Sequence, residues 1–369
     1  MIPHVVLTWV TTARGGAENS VTELAEKLAR LVPSVDVVWW RQGGPAAGRC
    51  APAHVHEVTD WNDYQQTLTR VCSPADGRPV VVISSHRTAA ADVTLASHAR
   101  VLPVVRHVVN ADQILRVINP GDGAMVERTI GTLPWGLLSA VPVWVGISHA
   151  SSAALRKHAP QARHVSTIHN GVTIPTETPA RTRAATGRLL IASVARTVPW
   201  KRVDHLVRAV ADPRLSTAVR LDIFGEPGSH HEELTRLANQ LAAPVRFLGY
   251  ADDLPQRLAG YDLLATAAVQ EGFGRAVIDA AGAGIPSLVP NAGASPELVI
   301  DGLTGMVYDP EDPWDLVAAL TDALLDRESL ARMGSAARAL AEAWYTPGRC
   351  AAQYLTLVMG QQPRSLAAA

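Results

Sequence analysis

Two acids bracket a glycine turn in EGFGRAVIDAAGAG (271–284), with Glu271 ahead of Gly272, Phe273 and Gly274, and Asp279 further along. The change from glycine-rich to alanine-rich residues predicts a loop that feeds a helix N-terminus. A helix dipole explains one acid at the mouth but not a second one inside, because the dipole acts only over the first turn. A ligand with an anionic middle and hydroxyls at both ends would use both. A second stretch, SVARTVPWKRVDHLVRAV (193–210), sets Arg196 and Lys201 between the end of a strand and the start of a helix. Two cations converging there would neutralise a diphosphate. A third, TTARGGAENSVTELAEKLA (11–29), places Gly15 and Gly16 before a helix expected near Glu18, where backbone approaches a ligand closely. Each stretch also has a plain alternative: a tight turn, a solvated loop, or a carboxylate that only balances a dipole.

The elements that position these residues alternate along the chain. Apolar runs rich in valine and isoleucine include HVVLTWV (4–10), VDVVWW (35–40), VVVISS (80–85), VLPVVRHV (101–108) and VWVGIS (143–148). The second half adds LLIASVA (189–195), RLDIFG (220–225), VRFLGY (245–250), DLLATAA (262–268) and PSLVP (286–290). Continuous rather than alternating apolar character predicts strands covered on both faces. Periodic segments such as ENSVTELAEKLARL, RVDHLVRAVA and PWDLVAALTDALL lie between them. Strand–helix alternation in both halves predicts two parallel-sheet, Rossmann-like α/β domains. Residues 1–175 would form the first and 186–345 the second, joined by the linker TIPTETPARTRAATGR (173–188). Ligands are expected at the carboxyl ends of the strands.

Composition narrows the function class. With 369 residues, 33 basic against 34 acidic and a 47% hydrophobic fraction, the chain suits two α/β domains and offers no bulk charge for nucleic acid or an anionic membrane. Lys27, Lys157 and Lys201 are its lysines, all other basic residues being arginine, so Lys201 stands out. Cys50, Cys72 and Cys350 are scattered without metal-ligand spacing. No apolar run reaches about 18 residues and MIPHVVLTWV has no basic lead, so the expectation is a cytoplasmic protein without a membrane span.

Taken in order, these stretches resemble the retaining glycosyltransferases of family four, which have the GT-B fold, and the resemblance covers nearly the whole chain. GGAE matches the family's glycine-rich loop, VVRHVV the segment carrying its active-site histidine, ISHASSAALRK and IHNGV its domain-closing elements, ARTVPWK its Arg-and-Lys phosphate motif, and EGFGRAVID its paired-acid signature. The resemblance implies two Rossmann-like domains facing a cleft, the C-terminal helix (about 346–369) crossing back to an acceptor-binding N-terminal domain. It implies catalytic roles for His107 and Glu271. Donor binding would fall to Gly15, Gly16, Arg196, Lys201, Gly272, Phe273, Gly274 and Asp279. Glu271 would contact the transferred sugar, and Arg196 with Lys201 the diphosphate. The family's second acid is usually glutamate and binds ribose; Asp279 is shorter by one methylene, about 1.5 Å of reach.

The implied reaction moves a hexose-type sugar from a nucleotide diphosphate, UDP-sugar first and GDP-sugar next, to a hydroxyl of a small-molecule or glycan acceptor. No cofactor and no metal are called for, since cations and a helix N-terminus meet the leaving group. His107 would orient the donor sugar or the acceptor. His86, Arg87 and Trp135 are further acceptor candidates, the first two at a strand end. HHEEL (230–234) is not a zinc motif and reads as the start of a solvated helix. An epimerase or hydrolase on the same fold, and a catalytically silent partner-binding subunit, remain open alternatives.

Overall fold

The structure, a computed structural model, describes residues 2–11, 16–41, 50–85, 88–96, 101–107, 115–119, 122, 124–128, 138, 141–158, 164–177 and 187–360. The chain divides into two compact units, Met1–Gly171 with Pro347–Ala369 and Val172–Thr346.

In the first unit the strands are β1 (His4–Thr11), β2 (Val35–Arg41), β3 (His54–Val58), β4 (Val80–Ser85) and β5 (Val101–His107). A small antiparallel pair follows, β6 (Leu115–Ile118) with β7 (Met125–Arg128), and then β8 (Val143–Gly146) and β9 (His164–Thr167). The main sheet has the order β3-β2-β1-β4-β5-β8-β9 and pairs in parallel throughout. Strand side chains alternate between faces, and at the central β1 both faces are covered. Val5, Leu7 and Trp9 of β1 pack with Leu24 and Leu28 of the helix Gly16–Leu28 and with Cys350 and Tyr354 of the helix Pro347–Gly360. Val6 and Val10 pack with Tyr64 and Leu68 of the helix Trp61–Val71. The C-terminal helix therefore completes the core of the first unit.

The second unit contains β10 (Leu189–Val194), β11 (Val219–Phe224), β12 (Val245–Gly249), β13 (Leu263–Ala265), β14 (Ser287–Pro290) and β15 (Gly305–Tyr308). They pair in parallel in the order β12-β11-β10-β13-β14-β15. Leu189 and Ile191 bury against Val203, Leu206 and Val207 of the helix Val203–Val210, with Leu316 and Leu320 of the helix Pro313–Leu325 in the same cluster. Eight residues are too few for a stable isolated helix, so packing holds Val203–Val210 in place. Truncating Leu206, 1% exposed, to alanine would cost about 2–5 kcal/mol. The loop carrying Lys201 is thus fixed at one end by core burial.

Candidate active site

In the second sheet the strand order turns at β10, with β11 and β12 on one side and β13 and β14 on the other. Connections leave the carboxyl ends of β10 and β13 in opposite directions, opening the kind of crevice in which α/β sheets bind ligands. Lys201 follows β10 and Glu271 follows β13. Their side chains meet across that point, Lys201 Nζ donating to Glu271 Oε2 at 2.5 Å. The two side chains are only 16% and 19% exposed. Lys201 Nζ also lies 4.4 Å from the centre of the Trp200 ring, so the ammonium is held between a carboxylate and an aromatic face.

Lys201 ends a short 3-10 turn, Pro199–Lys201, opened by proline and closed by Arg202. Arg202 has φ 49 and ψ 37, a left-handed conformation unusual for a residue with a side chain. Its Nε donates to His205 Nε2 at 3.2 Å and its Nη2 to the Pro310 carbonyl at 3.4 Å. Burial, and then the Arg202 charge, hold His205 below its usual pKa, which leaves an imidazole nitrogen able to accept. Arg196, nearer the end of β10, is exposed and makes no ion pair with any described residue.

Glu271 sits in a loop whose shape depends on two glycines. Gly274 has φ 97 and forms the N-cap of the helix Arg275–Gly282, itself offering no side chain to the first turn. A Cβ there would lie 3.2 Å from Leu298 Cδ1 and 3.7 Å from Glu271 Cγ, which also shows how near the carboxylate stem is to the helix N-terminus. Gly293 has φ 61, and a Cβ on it would strike the Glu271 backbone nitrogen at 2.9 Å. The adjacent Ala294 amide donates to the Glu271 carbonyl at 2.9 Å. Phe273 is buried, its ring 6.2 Å from that of Tyr345 and nearly edge-on. Inside the helix, Asp279 lies 3.7 Å from Arg275 Nε, one turn away.

A cavity of about 290 Å³ adjoins the ends of β11 and β12, lined by Thr197, Gly225, Pro227, His231, Phe247 and Gly249 among others. Thr197 holds its wall together: the Gly228 amide donates to Oγ1 at 2.8 Å and the His230 amide to its carbonyl at 2.9 Å. His231 opens the helix His231–Gln240 and rests edge-on against Phe247, at 5.1 Å between ring centres.

The first unit has its own turning point, between β1 and β4. Beneath it lies a buried polar network that sequence reasoning did not find. Thr8 Oγ1 donates to Asp92 Oδ2 at 2.7 Å, Tyr64 donates its hydroxyl to Asp92 Oδ1, and Thr8 and Thr88 share a hydrogen bond of 2.8 Å. Burial pushes the Asp92 carboxyl up, and burial with the Asp92 charge pushes the Tyr64 hydroxyl well up.

Residues 176–340 match the family model described as glycosyl transferases group 1. Residues 176–340 belong to that family. At 31% identity over 224 residues, the chain is similar to a D-inositol 3-phosphate glycosyltransferase of Streptomyces scabiei, covering 54% of this chain and 50% of that protein. It is also 31% identical over 163 residues to a GDP-mannose-dependent alpha-(1-6)-phosphatidylinositol monomannoside mannosyltransferase of Mycolicibacterium smegmatis, covering 41% and 42%. The chain spans about half the length of the curated relatives it matches, or less. Among solved structures it resembles Anabaena HepE in complex with UDP and glucose, with TM-score 0.74, 19% identity, and coverage of 97% of this chain and 100% of that one. At that identity the likeness establishes the fold, which is GT-B with two Rossmann-like parallel-sheet units.

Within the glycosyl transferase unit, the structure gathers Lys201, Glu271, Gly272, Phe273 and Gly274 at one turning point, with Arg196 on the loop before Lys201 and Asp279 in the helix behind. Gly16 is exposed at the start of its helix. His107 closes β5 opposite Gly146, and its side chain lies outside the described residues, as do Gly15, His86, Arg87 and Trp135. Trp9 and Trp144 are core residues, each 1% exposed. Two neighbours of Lys201 were missed, Trp200 and Arg202. The signal for the first was an aromatic beside the lone lysine of the second unit; nothing local signals the second. Among the described residues no helix is long and apolar enough to cross a membrane.

Proposed function

We propose that this protein is a retaining glycosyltransferase that moves a hexose-type sugar from a nucleotide diphosphate to a hydroxyl of a small-molecule or glycan acceptor. The observation that carries this reading is the Lys201–Glu271 pair, 2.5 Å apart beside the N-terminus of the helix Arg275–Gly282, at the turning point of the sheet. An ammonium has three N–H donors, and one is used by Glu271. The others, with Arg196 and the helix N-terminus, suit a diphosphate, and Glu271 suits hydroxyls of the sugar beyond it. The cavity at the ends of β11 and β12 takes the base, and Asp279 the ribose. In this scheme negative charge on the departing diphosphate is met by fixed cations and backbone dipoles, with no metal required. Attack comes from the face of the leaving group, the donor phosphate taking the acceptor's proton, and His107 orients the sugar.

UDP-sugar is the first donor on this reading and GDP-sugar the second, the latter supported by the GDP-mannose dependence of a relative. The acceptors named for the relatives, D-inositol 3-phosphate and phosphatidylinositol mannoside, head the acceptor panel. The test is product mass spectrometry over a matrix of UDP- and GDP-sugars with and without these acceptors. Transfer supports the reading. Hydrolysis or epimerisation alone favours the same-fold rival, and no turnover with any donor favours a silent subunit.

A further inference from the structure

Two facts about Arg202 go together. Its backbone adopts φ 49, a conformation that an L residue avoids because its Cβ crowds the following carbonyl oxygen. Its guanidinium meanwhile reaches the Pro310 carbonyl and His205. Glycine would take this φ freely but would have no arm. Arginine bears the strain, and strain of this sort persists only where surrounding contacts over-determine it.

Those contacts form a closed circuit. Pro310 follows β15, and the Asn291 amide donates to the Tyr308 carbonyl at 2.7 Å, locking the loop after β14 to the end of β15. That loop contains Gly293 and Ala294, which seat the Glu271 backbone. Glu271 grips Lys201, and Lys201 is bonded to Arg202 in the chain. The Arg202 amide donates to Pro199 at 2.9 Å and its carbonyl accepts from His205 at 3.0 Å, so the turn and the following helix share this residue. Without the arm to Pro310, Lys201 and Glu271 would be set on two separate loops. With it, both loops refer to β15.

We propose that Arg202 is a positioning residue for the donor diphosphate, holding Lys201 in register with Glu271 through its left-handed backbone and its tether to Pro310. This rests on the donor-site reading above. It makes a distinctive demand: alanine at 202 keeps the backbone penalty and loses the tether, so the turn relaxes and Lys201 moves. Glycine loses the tether but keeps the turn. A residue that only stabilises the helix would make no such distinction in diphosphate binding.

The experiment is calorimetric titration of UDP, GDP, uridine and guanosine into the full chain, its Arg202→Ala and Arg202→Gly variants, with amide hydrogen exchange on the same samples. Arg202→Ala should weaken diphosphate binding by about tenfold and Arg202→Gly by about threefold, with nucleoside binding unchanged in both. Exchange at the Arg202, His205 and Asn291 amides should rise more in Arg202→Ala than in Arg202→Gly. Arg202→Lys, which keeps the charge without the fork, stands in if Arg202→Ala does not fold and should fall between wild type and Arg202→Gly. Equal losses for nucleoside and diphosphate, or wild-type affinity and exchange in Arg202→Ala, would overturn the proposal. If the wild type binds no nucleoside diphosphate, the donor-site reading falls, and exchange alone then decides whether Arg202 ties these loops together.

Discussion

Replacing Lys201 with alanine is the sharpest perturbation the site offers. Its ammonium touches Glu271 Oε2 at 2.5 Å and the Trp200 ring at 4.4 Å, and its remaining donors are available to a phosphate. A hydrogen bond to a charged group contributes about 1.5–3 kcal/mol. Its loss should therefore raise the Kd for UDP or GDP by roughly 10- to 150-fold. Glu271 would also be left without its cation, facing the incoming diphosphate, so Lys201→Ala/Glu271→Gln should bind more tightly than Lys201→Ala alone. The pair is partly buried, 16% and 19% exposed, between the surface limit of about 0–1 kcal/mol and the buried limit of about 3–5 kcal/mol. A drop of a few degrees in Tm is expected, and titrations belong well below it. Calorimetry with nucleoside and diphosphate in parallel decides the matter. Uridine and guanosine should bind as to the wild type; equal losses for nucleoside and diphosphate would refute the placement of Lys201.

Arg196→Ala should slow diphosphate association and flatten its salt dependence more than Lys201→Ala does, as stopped-flow binding at two ionic strengths would show. Turnover should survive a strong chelator; loss restored only by magnesium or manganese would refute the metal-free scheme. Asp279→Asn should weaken ribonucleotide donors more than 2′-deoxy donors and Asp279→Glu should be tolerated, whereas a role limited to the Arg275 contact predicts changes within about 0.5 kcal/mol for both. Asp222, fully buried, accepts from Arg246 at 2.8 Å and 2.5 Å and from Tyr261 at 2.7 Å. Burial raises its pKa, but these donors outweigh burial and hold it below the usual carboxylate value. Its stabilisation is thus present above the unfolded value of about 3.9 and lost as pH falls through the lower folded value. Because the arginine left behind, Arg246, is half exposed, Asp222→Asn should cost about 1.5–3 kcal/mol at pH 7 in denaturant unfolding, and the gap should close as pH falls below about 4.

What the sequence disclosed follows from where each signal is stored. VVVISS is buried along its whole length and LLIASV everywhere but at its half-buried last residue, Val194, and an unbroken apolar run announces such a strand. HVHEV (β3) and HVST (β9) form the edges of the first sheet, with polar residues facing outward, and they leave no run to read. GMVY (β15), at an edge of the second sheet, is short and begins on the second glycine of a turn. The site divides in the same way. Glycine spacing and isolated charges are local, so Glu271, Arg196 and Lys201 were legible one by one. The contact between Lys201 and Glu271 joins residues brought together by the β10–β13 pairing, and no window of sequence contains it. Arg202 is harder still, because local propensity favours the right-handed form and tertiary contacts impose the other.

The pairing of Lys201 with Glu271 changes what the two cations do. A lysine already paired and resting on an aromatic ring is preorganised; it adds little field at a distance because its charge is largely matched by the carboxylate beside it. Arg196, exposed and unpaired among the described residues, has its full charge directed to solvent. On the proposed donor-site reading, the long-range attraction of a diphosphate would therefore belong to Arg196, while the short-range grip, and with it the register between phosphate and sugar, would belong to Lys201. A freely mobile lysine would have to be ordered on binding, at a cost of up to about 2 kcal/mol in side-chain entropy. Here the frame formed by Trp200, Arg202 and Glu271 has met that cost during folding.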